Sequence, residues 1–321
     1  MARSHLTLAA LATSAVEGLD IAATTSFATG GENDFDSALL TGRDGRHWII
    51  RLPRNERAEG EQSSDLVALR ALSSGIRSRL PFAVSNFVGQ VPVDGTRAVV
   101  YEFVYGIKAR LDHLDAGSDG LAASIGRSIA AIHSLPTSFV ADAGLPVLTS
   151  IEAMRASVSV MDRAAATGLV PSQLLGRWER AMEDSHLWQF QPTVINGNLS
   201  AESFLTADHA VTGLLGWHEL KVSDPARDLA WLLAAPDPDA VDSAIDAYHR
   251  ARGTLDRQVA QRAKLYAELD VARWLLHGTQ TRSTEVVDDA VAMLSAIVDS
   301  VENDVMDPLA GSPSTGQSLA G

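Results

Sequence analysis

Apolar and polar residues alternate along much of the first hundred positions and are cut by turn signals, the period-two pattern of half-buried strands. In "FATGGENDFDSALLTGRDGRHWIIRLPR" a glycine pair precedes an alternating run, the Asp44–Gly45 turn follows, and "HWIIRL" resumes the alternation. That order predicts a β-hairpin region. A helix is predicted around 61–73, where Leu66, Leu69 and Leu72 share a stripe, and 96–106 reads as another strand ending in a connector. Beyond it the period becomes helical. Leu121, Ile125, Ile129 and Ile132 mark one face of a helix over 119–136, which Pro136 ends. Helical patterns recur at 150–165, 171–184, 225–235, 238–251 and 255–300. One strand-loop-strand unit interrupts them, "VINGNLSAESFL" at 194–205.

The layout predicted is α+β: a small β-rich lobe over 1–102, a larger helical lobe over 103–305, and a Gly/Ser/Pro-rich tail over 306–321 whose composition predicts disorder. The first twenty residues predict an opening helix rather than a leader. Their alanine-rich stretch is short, is broken by Thr7, Thr13 and Ser14, and runs into Glu17 and Asp20.

Composition narrows the function more than the fold. A chain of 321 residues with 46% hydrophobic content is globular rather than disordered. Its net charge of −14 argues against nucleic acid or an anionic membrane as the main partner. No run reaches membrane-spanning length, and the expected compartment is the cytoplasm. With no cysteine, disulfides, thiol catalysis and thiolate metal sites are excluded. No H-E-x-x-H occurs, and nothing resembles a serine or zinc hydrolase.

Taken with "VTGLLGWHELKVSDPARDLAWLL" at 211–233, the loop "NGNLSAESFL" resembles the catalytic segment of the aminoglycoside phosphotransferase-like family. That segment reads H-G-D-L-x-x-x-N-[IV]-L, then G-[LV]-I-D-W, then D-P-x-x-D-L-A. The context of Trp217, Glu219, Lys221 and "DPARD" is most similar to the macrolide phosphotransferase branch, as are "HWIIRLPR" and "RLPFAVSNF" at 79–87. "IAAIHSLP" at 129–136 matches the wider family's L-A-x-L-H helix end. The resemblance implies a protein-kinase-like fold of two lobes, ATP or GTP as nucleotide, and a small-molecule acceptor.

Carried over residue by residue, it also implies losses. Asn198 stands at the family's loop aspartate, which takes the acceptor proton, and an amide cannot do so at neutral pH. Asn196 stands at the bracing histidine. Ser203 and Gly216 stand at the two metal-ligand positions, usually Asn and Asp in the family; with Asn198 at the loop aspartate, neither family carboxylate remains. Mg²⁺ is usually held by carboxylates together with phosphate oxygens, which puts a Mg²⁺ site in doubt. Glu202, His218 and Glu219 are nearby polar groups that read first as surface or packing polarity and second as relocated ligands.

On the nucleotide side, the chain has three lysines, and none precedes Lys108. Arg51 occupies the position of the family's phosphate-binding lysine, with Asp65 as the helix carboxylate, and a structural ion pair explains them equally well. Gly30 and Gly31 fall at a phosphate-covering turn or at an ordinary hairpin turn. Tyr101, Glu102 and Phe103 fall on the connector that offers backbone groups to a purine. Asp224 and Asp228 read as structural acids capping the next helix, with Pro225 in its first turn. Trp217, Trp231, Trp274 and His133 read as packing residues.

Three readings stay open: a pseudokinase that binds a nucleotide, a small molecule or a protein partner without efficient phosphoryl transfer, an active phosphotransferase with metal rerouted to Glu202 or Glu219, and a non-enzymatic interaction protein in which even nucleotide binding is gone.

Overall fold

A computed structural model describes residues 3–27, 34–253, 256–302 and 309. Gly30 and Gly31 lie outside the described residues, as does the 306–321 tail apart from Leu309. Two compact units emerge from the contacts, one made of Met1–Pro146, Asn196–Lys221 and Ala235–Gly253, the other of Val147–Ile195, Val222–Ala234 and Thr254–Gly321.

The first unit contains a five-stranded antiparallel sheet. Its strands, β1 (Ile21–Ser26), β2 (Phe35–Gly42), β3 (His47–Pro53), β5 (Phe87–Val93) and β6 (Thr96–Glu102), lie in the order β1-β2-β3-β6-β5, with β4 (Ala83–Val84) falling in chain order before β5. The predicted hairpin is β2–β3, joined through Gly45 in the left-handed region (φ 80°), and its register pairs Ser37 with Arg51. The alternation seen in the sequence is literal: Ala38, Leu40, Trp48, Ile50 and Leu52 are buried together with Leu8 and Ala12 of the opening helix α1 (His5–Ala15).

Helix α2 (Glu56–Ala71) starts five residues before the expected start near 61. Asn55 caps it by accepting from the Ala58 N–H at 2.8 Å, and Glu56 and Glu59 suit the positive end of its dipole. A second sheet of four strands, β4-β10-β9-β7, joins β7 (Ile107–Lys108) to β9 (Phe204–Ala207) and β10 (Ala210–Leu214), which follow β8 (Thr193–Ile195) in the chain. The helices Leu121–His133 and Pro238–Arg252 pack against each other, and His133 is buried with its Nδ1 3.0 Å from the Tyr248 hydroxyl.

The second unit is mostly helical: Ser150–Ala165, Ser172–Glu183, Val259–Thr281 and Thr284–Glu302, with a two-stranded sheet of β8 and β11 (Lys221–Ser223). Trp178, Leu265, Leu269, Leu275 and Leu294 lie in its core. Inside it the Arg177 guanidinium donates to Glu268 at 2.9 Å, and the Trp178 indole donates to the same carboxylate at 2.8 Å.

Three local expectations need correction. The pattern over 255–300 is two helices, separated at Arg282, which takes a left-handed conformation (φ 56°) that ends the first. The pattern over 225–235 is a pair of 3-10 helices, Pro225–Asp228 and Ala230–Ala234. Trp274 is 39% exposed rather than core; it stacks on His277 and donates to Asp289 at 2.8 Å. Among the described residues, no helix is long and apolar enough to cross a membrane.

Candidate functional site

The loop after β8 is held by an amide. Asn196 is fully buried; its Nδ2 donates to the Gly216 carbonyl at 2.8 Å and its Oδ1 accepts from the Asn198 N–H at 3.2 Å. One side chain thus ties the loop to the turn after β10, twenty residues away. Between the two asparagines, Gly197 has φ 88° and lies so close to the neighbouring chain that a Cβ would sit 2.6 Å from the Glu219 carbonyl oxygen. Only glycine fits both constraints. Asn198 points outward, with its amide nitrogen 3.2 Å from His218 Nε2.

Gly216 is the opposite kind of glycine. Its φ is also left-handed, at 74°, but a Cβ built there meets nothing within 4 Å. The next residue, Trp217, is buried, and its backbone N–H donates to Asp65 Oδ1 of α2 at 2.7 Å. Burial raises the Asp65 pKa above the ordinary carboxylate range, while the Trp217 N–H, Arg51 and His218 act in the other direction.

Asp65, Gly216 and Trp217 border a cavity of about 520 Å³ within the first unit. Arg51, Asp65, Tyr101, Gly216 and Trp217 line one part of it, and Ile49, Leu69, Leu205 and Leu214 supply apolar wall. The Arg51 guanidinium lies 3.8 Å from the centre of the Phe35 ring, and its buried Nε has no hydrogen-bond partner. Among the described residues Arg51 makes no ion pair within 4.0 Å, although it and Asp65 attract each other at longer range. The Tyr101 hydroxyl is also buried without a partner, and its pKa is raised by burial and then by the Asp65 charge.

The connector differs in detail from the expectation. The Glu102 N–H is spent on the Asn86 carbonyl at 2.9 Å and the Phe103 N–H on the His47 carbonyl at 3.1 Å. The Glu102 carbonyl accepts from the Ser85 hydroxyl at 2.8 Å, which leaves its second lone pair. Among the described residues, the Val104 N–H carries no hydrogen bond, and Val104 lines the cavity. Val104 was missed because the sequence marks the connector as a segment without saying which amides the sheet has already used.

The residues present do not fit a Mg²⁺ site of the family's kind. Gly216 contributes no ligand. The Ser203 hydroxyl accepts from the Ser200 N–H at 3.2 Å in a local cap. Glu202, which lines the cavity, pairs with Lys108 at 3.1 Å, and Glu219 pairs with Lys221 at 2.7 Å. Among the described residues, no group of three or more His, Asp and Glu side chains is assembled to hold a metal ion. A hard cation prefers several oxygen ligands with carboxylates among them, and here the carboxylates face lysines or a backbone N–H.

In the second unit, Asp224 caps Pro225–Asp228 by accepting from the Ala226 N–H at 2.9 Å, and it is completely buried. Its other oxygen accepts from Arg262 at 2.7 Å and from the Tyr266 hydroxyl at 3.2 Å. Burial opposes the Arg262 charge, but the Asp224 and Asp256 carboxylates outweigh it and raise the Arg262 pKa. Asp228 is fully buried as well.

A β-sheet amino-terminal region, a helical carboxy-terminal region and a loop with this motif order define a protein-kinase-like phosphotransferase fold. The chain matches the phosphotransferase enzyme family over residues 26–267, and it belongs to that family. Its fold is similar to that of macrolide 2'-phosphotransferase MphH from Brachybacterium faecium, with a TM-score of 0.75 at 22% identity over 91% of this chain and 98% of the other. It is similar to wild-type aminoglycoside 2'-phosphotransferase-IIIa, solved as a GDP complex, with a TM-score of 0.72 at 19% identity over 94% and 100% of the two chains. The uncharacterised protein YcbJ of Bacillus subtilis (strain 168) is 26% identical over 212 residues, 61% of this chain and 65% of that relative's length.

Proposed function

We propose that this chain is a pseudokinase of the phosphotransferase family, which binds a purine nucleotide in the cavity of its first unit and transfers phosphate poorly or not at all. The observation that carries the reading is the state of the two family carboxylate positions. Asn198 offers an amide near His218, and Gly216 offers empty space beside the cavity. Phosphoryl transfer relies on charge neutralisation and positioning, so losing both a proton acceptor and a metal ligand removes the main contributions. Binding has separate requirements. The apolar wall, the Val104 N–H and the Glu102 carbonyl suit a purine edge, and the GDP complex of the aminoglycoside relative is consistent with a nucleotide there. In this reading residues 1–102 form the nucleotide side and residues 103–305 the acceptor side.

A second reading, active transfer, is favoured by one observation: Glu202 lines the cavity and is 65% exposed, so its pairing with Lys108 is weak enough to give up. The test combines thermal shift with turnover. ATP or GTP is expected to stabilise the protein, with no phosphate transfer to a panel of macrolides and aminoglycosides in the presence of Mg²⁺. Metal-dependent turnover that disappears in Glu202→Ala or Glu219→Ala would overturn the pseudokinase reading. No stabilisation by either nucleotide would favour an interaction protein. Turnover that appears only when Asn198→Asp and Gly216→Asp are combined would make the missing carboxylates its cause.

A further inference from the structure

Each carboxylate bordering the cavity already has a partner, whereas Arg51 is a cation there with no ion pair among the described residues. Asp65 accepts from the Trp217 N–H, Glu102 pairs with Arg46 and accepts from Asn86, and Glu202 pairs with Lys108; Glu219, outside the cavity lining, pairs with Lys221. Gly216 opens onto the same cavity with no side chain at all. Arg51 is in the reverse situation. The Phe35 ring, 3.8 Å away, covers one face of its guanidinium, but a guanidinium over a ring still presents its N–H edge. Its Nε is buried and unpartnered, and the unpartnered Tyr101 hydroxyl lines the same cavity. A buried donor without a partner costs free energy that a ligand oxygen would recover.

We infer that the cavity takes its nucleotide as the free polyanion, without a divalent cation, with Arg51 meeting the phosphate charge that a metal meets in an active enzyme. The inference rests on the nucleotide-binding reading above and specifies its ionic form. A planar guanidinium suits phosphate oxygens through paired N–H donors, and the bond is strongest where water is excluded. A nucleotide carrying Mg²⁺ brings less net negative charge to Arg51 and has to compete with Lys108 for Glu202 to share its metal. The cation is therefore expected to leave affinity unchanged or to reduce it.

The test is calorimetric titration of ATP and GTP into the full chain, in EDTA and in millimolar Mg²⁺, with Arg51→Gln and Arg51→Lys beside the parent. The expected result is a Kd in EDTA equal to or lower than that in Mg²⁺. Arg51→Gln is expected to weaken binding in EDTA at least tenfold, and Arg51→Lys, which keeps the charge but loses the fork, to weaken it less. Circular dichroism and thermal unfolding check that both variants fold. Binding that weakens tenfold or more on removing Mg²⁺ overturns the inference and leaves the nucleotide reading standing. An Arg51→Gln variant that folds and binds like the parent also overturns it. If the parent binds neither nucleotide in either condition, the nucleotide reading itself falls, and this inference with it.

Discussion

Replacing Asn196 by alanine removes two bonds from the loop at once, the 2.8 Å donation to the Gly216 carbonyl and the 3.2 Å acceptance from the Asn198 N–H. A buried polar group left without a partner costs about 1–3 kcal/mol. The groups left without a partner are the Gly216 carbonyl and the Asn198 N–H; both residues are exposed, so water recovers part of each loss, and the fully buried site adds the cost of a small cavity. The expected destabilisation is about 2–4 kcal/mol, or a melting temperature lower by roughly 5–10 °C. Asn196→Asp separates the two bonds. Its oxygen still accepts from Asn198, but when ionised it faces the Gly216 carbonyl with a second acceptor and buries a charge. At neutral pH it is expected to be at least as damaging as alanine. It should recover as pH falls towards about 4, where a protonated carboxyl donates again. Thermal unfolding from pH 4 to 8, with hydrogen exchange read across the loops around Asn198 and Trp217, measures both effects. If the alanine variant lies within about 0.5 kcal/mol of the parent, or exchange there is unchanged, the brace is not what holds the loop.

Three further predictions follow from neighbouring geometry. Gly197→Ala should cost more than Gly216→Ala: both incur about 1–2 kcal/mol for a left-handed non-glycine residue, but only at 197 does the Cβ meet a carbonyl oxygen, at 2.6 Å. Equal losses in chemical denaturation would contradict this. Asp65 has a folded pKa raised by burial, so it subtracts stability as pH rises from its unfolded value through its folded one. Asp65→Asn keeps an oxygen for the Trp217 N–H and removes that term, so it should match the parent near pH 3 and exceed it at pH 7; the reverse order would refute the assignment. In the second unit, Arg262→Met leaves the buried Asp224 carboxylate without its 2.7 Å partner, a loss of about 3–5 kcal/mol. Adding Asp224→Asn should restore part of it, and a double variant no better than the single one would place the cost elsewhere.

The sequence alone carried the fold class and the chemical character of the loop. Periodicity reports which face of an element is buried, so the β2–β3 hairpin, the helix at 150–165 and the helix near 121–133 were legible before any coordinates. The identities of Asn198 and Gly216 were equally plain, because an amide or a hydrogen atom has the same chemistry in any fold. Periodicity is silent about which residue meets which across the chain. Asp65 reaching the Trp217 N–H, Asn196 gripping the Gly216 carbonyl, and Lys108 taking up Glu202 depend on loops that bring separate segments together. Trp274 looked like core because bulk suggests burial, yet its place on the helix leaves it at the surface, where its indole finds Asp289. The Val104 N–H became visible only once the sheet had claimed its neighbours' amides. Side-chain chemistry is local and can be read along the chain, whereas the choice of hydrogen-bond partner is made only when the chain has folded.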